Sequence, residues 1–220
     1  MASKNLEKRN EILNCSYRLV SEGNYNMVSL SDIANGAGIS KSLLQYYYPQ
    51  KKDIIKNLLS DMLETSFQFM DRFDSKGDIF YKLSDYMLLF FTAVDADKKL
   101  DHFVMATIGE NELLDIWIDI VFQWLRKLKE DSGHKLSSLK LRAALSFSMT
   151  GAMCLYQHRE AFDIDVPYIC EQHLSTLMRM LDFDDKKIGD VLRHTRESIS
   201  EIDIQPFYEF CESNISWFLM

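Results

Sequence analysis

Apolar side chains recur at three- and four-residue spacing along most of this chain, and short polar or glycine-containing segments separate the periodic stretches. Residues 6–22 place Ile12, Leu13 and Val20 on one face, and Gly23 follows as a helix stop. No strand-like alternation and no internal repeat competes with this pattern. The predicted helices cover residues 6–22, 29–35, 40–47, 51–73, 79–94, 102–109, 112–130, 136–161, 166–181, 185–200 and 204–219. The fold class is therefore all-α, with about ten helices.

The segment from Ser29 to residue 48 has the spacing of a helix-turn-helix. Ser29 and Asp32 form a capping-box pattern at the start of the first short helix. Ala34 is small, as a close crossing of two helices requires, and Gly38 can adopt the left-handed conformation of a sharp turn. Leu44 is expected to point back into a small core, so the helix over 40–47 is predicted to lie in the major groove of DNA.

The composition of the second short helix suits the reading of DNA. Lys41 and Ser42 lie at its N-terminal end, where base edges and phosphates are nearest. Gln45 can pair bidentately with an adenine edge, and Tyr46 and Tyr47 offer hydroxyl groups to phosphates. In isolation these tyrosines are more typical of core packing. Within the spaced motif, DNA binding is the better interpretation.

The stretch SLSDIANGAGISKSLLQYYYPQKKDI resembles the N-terminal DNA-binding segment of the TetR family of bacterial transcriptional repressors, over about residues 6–58. The resemblance implies a three-helix helix-turn-helix domain at residues 1–50 and a larger helical ligand-binding and dimerisation domain at residues 51–220. It also implies that ligand binding moves two reading heads apart and releases the operator. The implied DNA contacts are Ser29, Lys41, Ser42, Leu43, Tyr46, Tyr47 and Lys51. The chain departs from the family at Gln45, where tyrosine is frequent, and at Leu43, where a small residue is common.

The charge of the chain is unevenly distributed. The net charge is −8, yet residues 1–56 hold eight Lys and Arg against five Asp and Glu. The acidic excess therefore lies in residues 57–220, and the predicted reading head is modestly basic.

Four widely spaced cysteines, a charged N-terminus and no apolar stretch near ~20 residues favour a cytoplasmic protein with no membrane partner.

A dimer is expected because one recognition helix reads too few base pairs to specify a genomic site. The resemblance places the homodimer contact on the last long helices, and residues 136–161 and 166–181 are the best candidates. The C-terminal segment 204–220 either packs on the body or joins this contact.

The second domain is rich in methionine and aromatic residues, which form adaptable apolar pockets. The candidate effector-binding residues are Phe90, Phe103, Met105, Trp117, Met149 and Met153. They indicate an unknown small-molecule effector that is apolar or aromatic, although ordinary core packing explains any single one of them. Acidic residues at 110, 112, 115 and 119 would suit a cationic ligand if they faced inward, but a solvated face is typical of such a run.

Other chemistries have weaker support. Cys154 and His158, and Cys170 and His173, share helix faces, so a zinc site is conceivable, but the spacing matches no compact zinc motif. No cofactor and no catalytic residues are predicted, because no nucleotide-binding, nucleophile-elbow or metalloprotease motif occurs. The chain is predicted to be a ligand-responsive DNA-binding repressor and not an enzyme. The alternative is a TetR-like DNA-associated interaction protein without a small-molecule effector.

Overall fold

The computed structural model describes residues 2–23, 25–72, 78–132, 137–199 and 202–218. These residues contain helices and no strand, as predicted. Their helices are α1 (Ala2–Glu22), α2 (Leu30–Gly36), α3 (Lys41–Tyr47), α4 (Lys51–Met70), α5 (Ile79–Ala96), α6 (Lys98–Ile108), α7 (Asn111–Ser132), α8 (Ser138–Gln157), α9 (Arg159–Phe162), α10 (Val166–Met180), α11 (Asp185–Ser198) and α12 (Gln205–Asn214). The predicted end positions 73, 136, 200 and 219 lie outside the described residues.

The first three helices form the predicted helix-turn-helix. The Ser29 backbone N–H donates to the Asp32 carboxylate at 2.9 Å, and the Ser29 hydroxyl accepts from the Asp32 N–H, which completes the capping box of α2. Gly38 makes the turn with a φ of 64°. Ala34 and Leu44 are buried where α2 meets α1 and α3. Each of these local expectations is confirmed.

Except for α9, the remaining helices share one hydrophobic core with the first three. Around it, α5 packs against α7, α10 and α11, and α8 packs against α7 and α10. Along α7, Leu113, Trp117 and Val121 are buried whereas Asp115 and Asp119 are exposed, so α7 is amphipathic and one of its faces lies at the surface. No helix in the described part of the chain is long and apolar enough to cross a lipid bilayer.

Several helix boundaries differ from the sequence-based expectation, and two of the differences have a local explanation or change the number of helices. The helix predicted over 102–109 begins at Lys98, because the Asp97 carboxylate accepts hydrogen bonds from the N–H groups of Lys99 and Leu100 at 2.7 and 3.0 Å. The single helix predicted over 136–161 is divided into α8 and α9. His158 leaves the helical region there, with φ −109° and ψ 12°.

The C-terminal segment packs on the body, the first of the two alternatives open from sequence; its part in a dimer contact stays a prediction. Its helix α12 ends at Asn214 and contacts α4. Beyond α12, the buried Trp217 ring lies 5.1 Å from the Tyr17 ring of α1. The Trp217 indole N–H also donates to the Asp61 carboxylate of α4 at 2.9 Å. The segment therefore connects the body to α1 and α4.

Candidate nucleic-acid interface and effector cavity

The outer surface of α3 carries a group of exposed side chains next to a well-capped N-terminus. Ser40 caps α3 by accepting from the Leu43 N–H at 3.2 Å. Tyr46 is 79% exposed and Leu43 is 40% exposed, although both are large side chains with apolar surface. Lys41, Ser42 and Gln45 are exposed as well, and Tyr47 is half-buried. We call the exposed residues Lys41, Ser42, Leu43, Gln45 and Tyr46 the α3 surface.

The α3 surface is held on a rigid base. Leu44 is fully buried on the opposite side of α3, and Tyr48 is buried directly after the helix. The Tyr48 hydroxyl donates to the Asn57 side-chain oxygen of α4 at 2.8 Å. Because α3 is anchored at its middle and at its C-terminal end, its backbone is held with the α3 surface facing outward.

The ammonium group of Lys51 is partly enclosed by protein atoms, unlike a lysine that is free to contact phosphate. Its ammonium group donates to the carbonyl oxygens of Tyr25 and Val28 at 2.6 and 2.9 Å and lies 3.9 Å from the centre of the Tyr25 ring. Burial lowers the pKa of Lys51 below its ordinary value. Two of its three donors thus hold the connection between α1 and α2, and the implied phosphate contact would have only the third donor.

Ser29 is exposed, but its hydroxyl already takes part in the capping of α2. It lies 2.6 Å from the Asp32 carboxylate in addition to accepting from the Asp32 N–H. The same capping holds the pKa of Asp32 below its usual range, through hydrogen bonds from the Ser29 side chain and backbone. Ser29 therefore positions α2, and its role as a phosphate contact stays a prediction.

A narrow apolar cavity lies in the body between α5, α7, α8 and α10. Its volume is about 30 Å³, close to the share of one water molecule in the liquid. Its lining residues are Leu83, Tyr86, Met87, Phe91, Trp117, Val121, Met149, Ala152, Met153, Tyr156, Ile169 and His173. With so little free space, a ligand larger than water must displace side chains in order to bind.

The structure brings together half of the predicted effector-binding residues. Trp117, Met149 and Met153 line the cavity. Phe90 and Phe103 are buried core residues outside the lining, and Phe103 packs against the Tyr17 ring at 5.2 Å. Met105 lies at a separate cleft between α1 and α6. Phe90 and Phe103 therefore serve as core packing, and Met105 belongs to another part of the surface.

His173 of α10 is a cavity residue that the effector prediction missed. It is 4% exposed, and its Nδ1 atom has no hydrogen-bond partner among the described residues. Burial lowers the pKa of His173 to about 4, against the weaker opposing effect of the Ser148 carbonyl, so the ring is neutral near pH 7. Its sequence signal was its position on the apolar face of α10, between Ile169 and Leu177.

Two cavity residues are hydrogen-bonded to α6, which packs directly on α1. The Trp117 indole N–H donates to the Thr107 hydroxyl at 3.3 Å, and the Tyr156 hydroxyl donates to the Asp101 carboxylate at 2.8 Å. Helix α6 is in extensive contact with α1. A displacement of the cavity wall can therefore reach the helix-turn-helix through one intervening helix.

The residues of the zinc hypothesis do not come together. Cys170 and His173 are buried, whereas Cys154 and His158 are exposed. In the described part of the chain, no three His, Cys, Asp or Glu residues are grouped so that they could hold a metal ion.

The acidic run near the start of α7 also faces away from the cavity. The Glu110 carboxylate accepts from the Asn26 side chain at 2.6 Å, and exposed Glu112 pairs with Lys52 at 3.2 Å. Asp115 and Asp119 are exposed as well. The solvated-face interpretation is the correct one, and a cationic ligand in this cavity gains nothing from these residues.

Large exposed apolar side chains are concentrated on two parts of the surface. One is the α3 surface. The other lies on α8 to α10, where Leu139 is 85% exposed and Phe147 is 66% exposed. Phe162, Tyr168 and Met180 extend it. Large apolar side chains left exposed on neighbouring elements are typical of protein–protein contacts.

Residues 12–58 match the family model described as bacterial regulatory proteins, tetR family. The whole fold is similar to that of RolR, solved in complex with resorcinol, at 15% identity and a TM-score of 0.60, with 87% of this chain and 96% of RolR covered. TylP, a TetR regulator from Streptomyces fradiae, is 16% identical with a TM-score of 0.57, over 90% and 96% of the two chains. A TetR transcriptional regulator from Rhodococcus sp. RHA1 is 16% identical with a TM-score of 0.56, over 80% and 97%. The search of curated protein sequences found no match. These comparisons confirm the predicted fold of the chain, and they show that residues 12–58 are similar to the tetR-family model.

Proposed function

We infer, from the TetR-family segment and the TetR-like fold of this chain, that it is a sequence-specific DNA-binding regulator that represses transcription from a palindromic operator. The observation that carries the proposal is the α3 surface. It presents Lys41, Gln45 and Tyr46 to solvent from a helix whose N-terminus is capped and whose opposite side is anchored. Amide, hydroxyl and ammonium groups on an exposed recognition helix are the chemistry that reads base edges and phosphates.

Homodimerisation through α8 and α10 belongs to the proposal. Phe147 lies at the middle of the exposed face of α8, and Gly151 lies one turn further along with open space where a Cβ atom would be. A large apolar side chain beside a small residue suits close packing of a second copy of the helix. Two copies would place two α3 surfaces on adjacent half-sites of the DNA.

The apolar cavity supports release by a small, apolar or aromatic effector. Occupation of the 30 Å³ cavity requires movement of its wall. Trp117 and Tyr156 transmit such movement to α6 through their hydrogen bonds to Thr107 and Asp101. Since α6 packs on α1, the effector changes the orientation of the reading head and weakens operator binding.

Selection of protein-bound duplexes from a random DNA library tests the proposal. We expect a palindromic consensus with half-sites about one helical turn apart, or a multiple of it, and nanomolar affinity in a gel-shift assay. Tyr46→Ala should weaken the shift about five- to 150-fold without unfolding the protein, because base and phosphate contacts of this kind contribute about 1–3 kcal/mol.

The matched control is Met27→Ala, which truncates another exposed side chain, of the connection between α1 and α2, outside the α3 surface. Its affinity should equal that of the unchanged protein. A library that yields no consensus, or a Tyr46→Ala protein that binds as tightly as Met27→Ala, would refute the assignment of α3.

The alternative of a DNA-associated protein without an effector gives a different result. It predicts many scattered genomic sites and an operator affinity that no apolar compound changes. The cavity and its hydrogen bonds to α6 favour the effector-dependent regulator.

A further inference from the structure

We propose that the effector is an uncharged aromatic or similarly apolar molecule that carries a hydroxyl group, and that this hydroxyl group binds the imidazole of His173. The inference rests on the proposed function, because it assigns the chemistry of the ligand in the same cavity. It adds a specificity-determining residue and assigns to it the hydroxyl group of the ligand.

The cavity wall excludes a charged ligand. None of its lining residues is Asp, Glu, Lys or Arg, and aromatic rings and methionines provide most of the wall. An ion transferred there would lose its hydration without gaining an opposite charge, which is strongly unfavourable. The rings of Phe91 and Trp117 and the thioether of Met149 favour contact with another ring or with an apolar chain.

His173 supplies a polar group that the protein itself leaves incompletely paired. The ring is buried in the wall of the cavity, and its Nδ1 atom has no hydrogen-bond partner among the described residues. An unpaired polar atom in a buried site is costly, so a ligand that pairs with it gains affinity. By contrast, the polar atoms of Trp117 and Tyr156 already donate to α6.

A hydroxyl group fits a neutral imidazole in either tautomer. One ring nitrogen of neutral histidine donates and the other accepts, and a hydroxyl group both donates and accepts. A methyl or other apolar group in the same place would leave the nitrogen unpaired. His173 is thus expected to discriminate between two molecules of the same shape that differ only in this group.

Entry of a ring requires the cavity to expand. The methionines Met87, Met149 and Met153 lie in the wall, and their flexible side chains can adopt other rotamers without breaking a hydrogen bond. The indole of Trp117 and the phenol ring of Tyr156 are hydrogen-bonded to α6, so their displacement either breaks these bonds or moves that helix.

Phenol and toluene test the proposal, because they have nearly the same shape and differ by a hydroxyl and a methyl group. Calorimetric titration of the full-length protein with each compound gives the ratio of the two affinities. In His173→Leu this ratio should shift about tenfold or more towards toluene, because the variant removes the hydrogen-bond partner of the hydroxyl group. The control His102→Leu makes the same substitution at an exposed position outside the cavity and should leave the ratio unchanged.

The imidazole nitrogen resonances of His173 in the unchanged protein provide a second measurement that does not depend on the folding of the variant. Phenol should shift them, and toluene should not shift them comparably. An unchanged affinity ratio in a folded His173→Leu protein, equal responses of the resonances to both compounds, or binding of neither compound would overturn the proposal.

Operator affinity is measured separately. If phenol binds at His173 but does not weaken operator binding, the release mechanism fails whereas the inferred ligand contact stands. If operator binding is intact and the hydroxyl group is not discriminated, the inferred contact fails whereas the DNA-binding function stands.

Discussion

Gly38 is the residue on which the geometry of the turn between α2 and α3 depends. Its φ of 64° lies in the left-handed region, where a side chain with a Cβ atom is strained, while the space around it is open. The cost of a substitution here comes from the backbone alone, because no neighbouring atom would obstruct a methyl group.

Gly38→Ala should therefore lower the free energy of unfolding by about 1 kcal/mol. The control is Gly189→Ala in α11, where the surroundings are equally open and the backbone is helical. That change should raise the free energy of unfolding by up to about 1 kcal/mol. Urea denaturation measures both, and effects of the same sign would contradict the strain assigned to Gly38.

His173 makes the stability of the fold depend on pH. Its pKa is about 4 in the folded protein, against an ordinary value of 6.5 in the unfolded chain. Between these values the unfolded chain binds more protons than the folded one, so the stability contributed by neutral His173 is present above pH 6.5 and decreases as the pH falls towards 4.

The unchanged protein should lose about 2 kcal/mol more stability between pH 7 and pH 5 than His173→Leu does. Urea denaturation of both proteins at the two pH values gives this difference directly, and other titrating groups cancel in the comparison. Parallel pH profiles would show that the imidazole is not held neutral by burial.

Residues with local roles were predictable from sequence, and residues with tertiary roles were not. The capping of α2 by Ser29 and Asp32 involves partners three positions apart. Lys51, in contrast, binds carbonyls of residues 25 and 28, at separations that helix periodicity does not specify. The sequence likewise places His173 on the same helix face as Cys170. It does not show which neighbouring helix packs against that face, because this depends on tertiary packing.

Helix α8 is buried on one side and exposes a partly apolar face on the other. Leu141, Leu145 and Met149 are buried, whereas Leu139 and Phe147 are exposed on the same helix. A helix that is apolar on both sides is typical of a contact with a second subunit.

If the proposed dimer forms through α8, Phe147→Glu should make the protein monomeric at micromolar concentration, because it would bury a charge from each subunit in the contact. The mass in solution, measured by light scattering after gel filtration, gives the oligomeric state. Met27→Glu introduces the same charge at another exposed apolar side chain and should remain dimeric. A dimeric Phe147→Glu protein would show that α8 does not form the contact.

Helix types and most helix positions followed from apolar periodicity, whereas some boundaries required local chemistry. The early start of α6 comes from the Asp97 cap, and the division between α8 and α9 comes at His158. Only three of the six candidate effector-binding residues line the cavity. Apolar periodicity shows which side chains are buried, but it does not show where packing leaves space. Phe90 and Phe91 adjoin in sequence, yet Phe91 lines the cavity and Phe90 does not.

In the whole molecule, helices α1 to α3 are joined to the helices that follow them at several places. Helix α6 packs on α1, and the Tyr17 ring of α1 lies between Phe103 of α6 and Trp217 of the C-terminal segment, 5.2 and 5.1 Å away. Asp61 of α4 accepts from the same Trp217. In the proposed release mechanism, α6 is the element that connects the cavity to α1, and the C-terminal segment contacts both α1 and α4. The boundary between residues 1–50 and 51–220 stays a prediction.

The ratio of the Kd for a scrambled duplex to the Kd for the selected operator tests the central claim most directly. For the unchanged protein this ratio should be at least about 10³. Gln45→Ala should reduce it about tenfold or more while leaving the Kd for the scrambled duplex unchanged, because Gln45 is assigned to a base edge and not to a phosphate. A ratio near one for the unchanged protein, or a ratio that Gln45→Ala and Tyr46→Ala both leave intact, would contradict the account of α3 as the element that reads DNA.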